Sequence, residues 1–330
     1  MSSKSSGGCF SIFLGLILAV SLLLNGILFF AFSLRNTDKG TVSFAETHVG
    51  GTAGSGSKIV EIDLKGLITG SGSGDFGDNL PDDIRLQLRQ AADDAAVKGV
   101  ILRIDSPGGE VTASDEIYHY VAQFREKKPV TVYMESVAAS GGYYSAMGGS
   151  YIIANELSLT GSIGVILETF NVGDLLGKLG VKALVIKSGK MKDLLSPYRE
   201  ATPEEIAYIQ NLINETYDRF VGVVAKERKL DLNGLRNGIA DGRVLSGKEA
   251  KEAGLIDATG YFEDAVAKEL ELAKVGDAEV VRYQPPFDWE HLFKTMAASS
   301  VRPFKVELGS GALPLASGRL YYLPASTVGY

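Results

Sequence analysis

The chain of 330 residues has one cysteine, Cys9, one tryptophan and three histidines. A single cysteine excludes an intrachain disulfide framework and a cysteine-rich metal site. Histidine is the usual base of serine hydrolases, and here it is scarce. His48 lies in a Gly-, Ser- and Thr-rich stretch, His119 in the helical pattern Tyr118-His119-Tyr120, and His291 near the end in Trp289-Glu290-His291. None sits at a strand end, so a surface or packing role is expected for each, and no Ser-His-Asp triad is legible. Basic clusters are missing too. The 40 acidic and 33 basic residues leave a net charge of −7, which disfavours a nucleic-acid partner.

Apolar residues are plentiful, at 45% of the chain. No charge occurs from Ser5 to Leu34, and Phe10 to Leu34 is almost wholly apolar. As a helix that run would be about 37 Å long, enough to cross a bilayer core of about 30 Å with some tilt. A cleaved signal peptide is the rival reading, but its apolar core is usually shorter, about 7–15 residues. Cys9 precedes the run and is not a lipoprotein cysteine. Lys4 before the span and Arg35 and Lys39 after it do not fix an orientation. The expected organisation is a short tail at 1–9, a transmembrane signal anchor at 10–34, a flexible linker at 35–58, a catalytic domain at 59–296, and an extended or disordered tail at 297–330.

Within the domain, strand and helix patterns alternate. Strands are predicted at 59–64, 100–104, 130–134, 151–154, 163–167 and 181–186, and helices at 81–97 and 114–125, with a short one from Ser140. Thr202-Pro203-Glu204-Glu205 carries an N-cap, a proline at the first helical position and a capping-box glutamate, opening a helix to about Arg228. Further helices are predicted at 247–253 and 261–272. This is the pattern of repeated βα crossovers in a mainly parallel α/β sheet.

Three segments carry chemistry. Asp105-Ser106-Pro107-Gly108-Gly109 follows a strand; adjacent glycines there make either a tight turn or a backbone anion site. Val137-Ala138-Ala139-Ser140-Gly141-Gly142 runs from a strand into a helix. A serine at such a place is ordinarily an N-cap. Small neighbours on both sides also clear space around its hydroxyl, as in a nucleophile elbow, although Gly-x-Ser-x-Gly is not met because position 138 is alanine. Lys187-Ser188-Gly189-Lys190-Met191-Lys192-Asp193 is either a solvated basic loop or the source of a lysine base. A lysine base must be neutral, so its pKa must fall from about 10.4 toward about 7–8 by desolvation. The residues alone leave Lys190 and Lys192 both open.

Pro107-Gly108-Gly109, Ala139-Ser140-Gly141-Gly142-Tyr143-Tyr144, Thr160-Gly161-Ser162-Ile163-Gly164-Val165 and Ser188-Gly189-Lys190-Met191-Lys192-Asp193 occur in this order. Together they resemble the bacterial signal peptide peptidase A family in its half-length form. The likeness runs from Ile59 to Tyr261 and includes Ala240-Asp241-Gly242-Arg243-Val244-Leu245-Ser246-Gly247 and Gly254-Leu255-Ile256-Asp257. The resemblance implies a Clp-protease/crotonase-like α/β spiral and a serine endopeptidase with a Ser/Lys dyad. Ser140 would be the nucleophile, Lys192 the base, Ser162 the residue orienting the lysine, and the N–H groups of Gly109 and Gly141 the oxyanion hole. It implies no metal and no cofactor. It also implies a homo-oligomer in which neighbouring protomers supply the serine and the lysine. Substrates would be remnant signal peptides and other apolar peptides. The place would be the bacterial cytoplasmic membrane, with the catalytic domain on the extracytoplasmic side. A Clp-type protease would need a histidine about 25 residues after Ser140, where Gly161-Ser162-Ile163-Gly164-Val165 stands instead. A crotonase-type acyl-CoA enzyme would need neither Ser140 nor Lys192, and an inactive membrane-anchored scaffold would not need the intact set.

Overall fold

Residues 7–37, 44–70, 79–284 and 321–322 are described by a computed structural model. The chain divides into one unit ending at Ser43 and another beginning at Phe44. In the first, helix α1 (Gly7–Thr37) contains the span Ile12–Phe29, which is long and apolar enough to cross a membrane. Its side chains over that span are exposed and apolar on all sides, a distribution suited to lipid or to a packed interior.

The second unit is built on a sheet. Its strands, among the described residues, are β1 (Ala45–Gly51), β2 (Lys58–Ile68), β3 (Val97–Glu110), β4 (Val130–Ala139), β5 (Tyr151–Ala154), β6 (Leu159–Gly161), β7 (Val244–Ser246), β8 (Ala258–Thr259), β9 (Glu279–Gln284) and β10 (Tyr321–Tyr322). The main path runs β1-β9-β2-β3-β4-β5-β8. It is parallel from β9 to β8, and β1 closes the edge antiparallel to β9. This is the mainly parallel α/β sheet that the alternating strand and helix patterns predict.

Side chains alternate across the strands, as the period of two requires. Val60, Ile62 and Leu64 of β2, with Val100, Leu102 and Ile104 of β3, pack on one face. That face is covered by α2 (Leu80–Asp93), α3 (Val111–Arg125), α4 (Gly141–Ala146) and the middle of α6 (Pro203–Arg228). Ile59, Ile101, Tyr133 and Ile153 face the other way, against α9 (Phe262–Ala273). The short helices α5 (Gly173–Lys178), α7 (Leu232–Arg236) and α8 (Gly247–Glu252) lie in the connections. The expected capping box on α6 is present: Glu205 N–H donates to Thr202 Oγ1 at 3.3 Å, and Thr202 N–H donates to Glu205 Oε2 at 2.8 Å.

Several expectations need correction. The stretch 44–58, read as part of a flexible linker, holds strand β1, and Phe44 is buried against Tyr283. The strands expected at 163–167 and 181–186 do not form. Those runs have β-branched side chains, but among the described residues they form no strand, only an isolated bridge at Ile166. Of the tail read as extended or disordered, only Tyr321–Tyr322 lies within the described residues; it forms β10, with Tyr322 buried in the core. The expected helix at 81–97 ends at Asp93, and β3 starts at Val97.

Candidate active site

Strand β4 changes neighbours along its length. Thr131–Met134 pair with β5, whereas Val137–Ala139 pair with β6. Strand β3 shifts register against β4 between Ile104 and Ser106. The carboxyl ends of β3 and β4 thus leave the register of the main sheet, at the strand ends where α/β sheets hold ligands.

Ser140 sits at the tip of β4, immediately before α4. Its backbone is at φ 53°, ψ −114°, a conformation costing an L-residue about 1–3 kcal/mol. Two hydrogen bonds hold it there. Its N–H donates to Gly161 O at 2.8 Å, and its carbonyl accepts from Tyr144 N–H at 2.8 Å. Its side chain does not act as a helix cap. The hydroxyl Oγ is buried and has no hydrogen-bond partner among the described residues. A buried polar group without a partner is costly unless a ligand or a catalytic partner completes it.

Glycine is needed around this hydroxyl by close approach. A Cβ on Gly141 would lie 2.4 Å from Ser114 Oγ and 3.0 Å from Gly109 N. A Cβ on Gly109 would lie 1.9 Å from Ile68 O, and one on Gly108, at φ +104°, 2.6 Å from Gly141 N. The backbone of the Pro-Gly-Gly turn and the start of α4 thus meet without intervening side chains. Ser162 enters through the same pairing that places Gly161 beside Ala139. It is buried, at φ 50°, and its N–H donates to Arg243 O at 2.8 Å.

Among the described residues, no hydrogen bond or ion pair joins the lysine segment to this cluster. Lys190 is exposed and ion-paired with Glu204. Lys192 is exposed, and its ammonium makes no hydrogen bond or ion pair among the described residues. Its turn is nevertheless well held. Asp193 accepts from Lys187 and from Arg199, whose guanidinium also pairs with Glu205 at the start of α6. Hydrogen bonds from Arg199 and Lys187 hold the Asp193 carboxyl well below the usual range, and Arg199 lowers Glu205 to about 2. Around the turn the chain is apolar and uncovered: Phe170, Leu179, Leu184 and Ile186 are exposed, the last two at 86% and 91%. A contiguous apolar surface of this kind marks an interaction site.

Sequence reasoning missed the strand that pairs beside Gly109. Tyr321–Tyr322 pair antiparallel with Glu110 and Gly109, along the edge of β3 next to the glycine turn. The Tyr322 ring stacks on Tyr144 at 5.2 Å and tilts against Phe220 at 4.7 Å, with Tyr118 edge-on to Tyr144. Burial, reinforced by the Asp115 carboxylate that accepts its hydroxyl, keeps Tyr144 well above the ordinary tyrosine pKa. The only local signal for this contact was an aromatic pair in a tail otherwise poor in pattern. The described histidines are engaged elsewhere: His48 contacts Glu279 on the sheet edge, and His119 contacts Gln123 on α3.

A strand-end serine on a strained elbow beside two glycine pairs is the arrangement a serine hydrolase of the Clp-like fold would use. Sequence comparison agrees and goes further. The profile of Peptidase family S49 matches residues 122–276, and that of Clp protease matches residues 73–156. A putative signal peptide peptidase SppA of Enterococcus faecium is 40% identical over 234 residues, covering 70% of this chain and 68% of the relative. A putative protease of Methanocaldococcus jannaschii is 46% identical over 190 residues, covering 58% of this chain and 61% of the relative. Protease 4 of Salmonella typhi is 34% identical over 286 residues, covering 86% of this chain and 46% of that protein. The chain belongs to peptidase family S49, a family of serine peptidases. It spans less than two thirds of the archaeal relative and about half of the Salmonella one.

Proposed function

We propose that this chain is a membrane-anchored serine endopeptidase that cleaves apolar peptides, remnant signal peptides among them, with Ser140 as nucleophile and Lys192 of a neighbouring copy as base. The observation that carries this reading is the Ser140 hydroxyl: buried, unpartnered among the described residues, and set on a strained elbow beside Gly109 and Gly141. Neutral Lys192 takes the hydroxyl proton as Ser140 Oγ bonds to the peptide carbonyl carbon. The oxyanion that forms accepts from the Gly109 and Gly141 N–H groups. The lysine then gives its proton to the departing amine, which leaves an acyl-enzyme that water hydrolyses by the same relay. Ser162, beside the elbow, orients the lysine amine.

Two features support a base from a second copy. Lys192 is exposed within one chain, and apolar side chains flank its turn. A neighbour covering Leu184 and Ile186 would bury that surface and desolvate the ammonium, as a lysine base needs. Substrate fits as an extended strand on the edge of β3 that β10 occupies, where backbone bonds give affinity and pockets read alternate side chains. Helix α1 would anchor the chain in the bacterial cytoplasmic membrane, with the catalytic unit on the extracytoplasmic side, close to apolar substrates.

The test is separate substitution of Ser140 and Lys192 by alanine in the full chain, assayed in detergent on an apolar peptide. Each is expected to lower kcat/KM by roughly 10³-fold or more, while Lys190→Ala stays near wild type. Full activity in either of the first two variants would sink the dyad.

A further inference from the structure

Ser106 lies near the end of β3, two residues before Gly108, and is wholly buried. Its hydroxyl is committed in two directions. It donates to Gly66 O at 2.6 Å and accepts from Gly108 N–H at 3.1 Å. Gly66 is at φ +76°, in the irregularity where the pairing of β2 with β3 shifts between Lys65 and Leu67. Gly142, two residues past the elbow, packs directly on Ser106: a Cβ there would lie 2.7 Å from Ser106 O. The preceding residue, Asp105, accepts from Val137 N–H at 3.1 Å. Asp105 and Ser106 thus tie together the bulge of β2, the Pro107-Gly108-Gly109 stretch at the end of β3 and the last residues of β4 before Ser140.

The bond to Gly108 has a chemical consequence. Its N–H is taken by Ser106 and is not free to meet a substrate oxygen. The next nitrogen, Gly109 N, lies 3.0 Å from where a Cβ on Gly141 would stand, and its placement depends on where Gly108 is held. We propose that Ser106 is a positioning residue for the oxyanion site: its hydroxyl fixes Gly108 so that Gly109, and not Gly108, joins Gly141 as donor. This rests on Ser140 being the nucleophile. The residue touches no reacting atom and acts only through the turn.

A positioning role is separable from a packing role because it acts on the transition state more than on bound substrate. Ser106→Ala, Ser106→Thr and Ser140→Ala are compared in the full chain, with kcat, KM and the inhibition constant of a peptide aldehyde, whose tetrahedral adduct places its oxygen in the oxyanion site. Ser106→Ala is expected to lower kcat by about 10–100-fold and to weaken the aldehyde in parallel, with KM within about twofold. Ser106→Thr keeps the hydroxyl and should recover most of both. Where Ser106→Ala does not fold, Ser106→Cys carries the test, since a thiol is a weaker partner and an intermediate loss is expected. Wild-type kcat and aldehyde affinity per folded molecule in Ser106→Ala or Ser106→Cys, with Ser140→Ala inactive, overturns the proposal alone. Activity in Ser140→Ala overturns the reading beneath it.

Discussion

Ser140 has a side chain in a region of backbone space that favours glycine, and the glycines around it explain how the fold accommodates that. Residues with side chains at 109 or 141 would collide with Ile68 O or Ser114 Oγ. Gly109→Ala is therefore expected to lower kcat/KM by about 10²-fold or more, because an oxyanion donor is displaced. Peptide kinetics alongside thermal denaturation checks this, and an unchanged kcat/KM in folded protein would contradict it. The small residues around a strand-end serine were legible in the sequence; that its side chain is not the helix cap came only from the fold. Ser106 was less legible: its motif was visible, but only the fold brings Gly66 within reach of its hydroxyl.

A second residue, Glu269 of α9, lies wholly buried beneath the sheet, and burial pushes its carboxyl up to about 8. It accepts from Val100 N–H at 3.1 Å and from Thr131 Oγ1 at 2.6 Å, against Gly99, where a Cβ would lie 1.8 Å from Oε1. The folded value is above the unfolded one, so its favourable contribution is complete below the unfolded pKa. That contribution is lost as pH rises from about 4.5 through about 8, at about 1.4 kcal/mol per pH unit at most. Glu269→Gln keeps a neutral hydrogen-bonding group and should remove this slope. Denaturant midpoints from pH 5 to 8.5 would show the variant gaining on wild type as pH rises; parallel curves would contradict it.

Among the elements, those whose pattern is local were readable. The capping box of α6, the strand at 151–154 and the elbow before α4 formed where expected. Elements set by a distant partner were not. β1 lies in a Gly-rich stretch and exists because β9 pairs with it, with a bulge between His48 and Gly50. The opposite error occurred at 163–167 and 181–186, where apolar, β-branched runs form no strand among the described residues, with only an isolated bridge at Ile166. Strand propensity is satisfied only by pairing, so such a run in an exposed arm points to another surface. Leu184→Asp with Ile186→Asp is accordingly expected to shift the detergent-solubilised chain toward monomer in sedimentation and to lower activity with it. An unchanged assembly would show that this arm makes no interface.

β10 is the element furthest from sequence legibility. Tyr321–Tyr322 occupy the β3 edge beside Gly109, and the Tyr322 ring fills the space between Tyr144 and Phe220. A chain ending at Leu320 should bind peptide more tightly, with KM lowered severalfold, because the edge is vacated. It should also lose about 1.5–3 kcal/mol of stability with the buried ring. Steady-state kinetics and thermal denaturation test the two effects separately. An unchanged KM would mean that substrate does not use this edge.

For the molecule as a whole, one chain carries the proposed nucleophile, Ser140, buried at the tip of β4, and the proposed base, Lys192, on an exposed turn. The fold and family were legible because four motifs occur in order. The meeting of serine and lysine was not, because no distance between them is set by one chain's sequence. Head-to-tail contacts that close into a ring would bring each Lys192 to a neighbour's Ser140. The most direct measurement co-assembles full-length Ser140→Ala and Lys192→Ala chains, each inactive alone, in equal amounts. Sites with an intact serine from one chain and an intact lysine from its neighbour should restore activity, to about a quarter of the wild-type rate for random assembly. Normal assembly of the mixture with no recovered peptide cleavage would contradict the shared dyad.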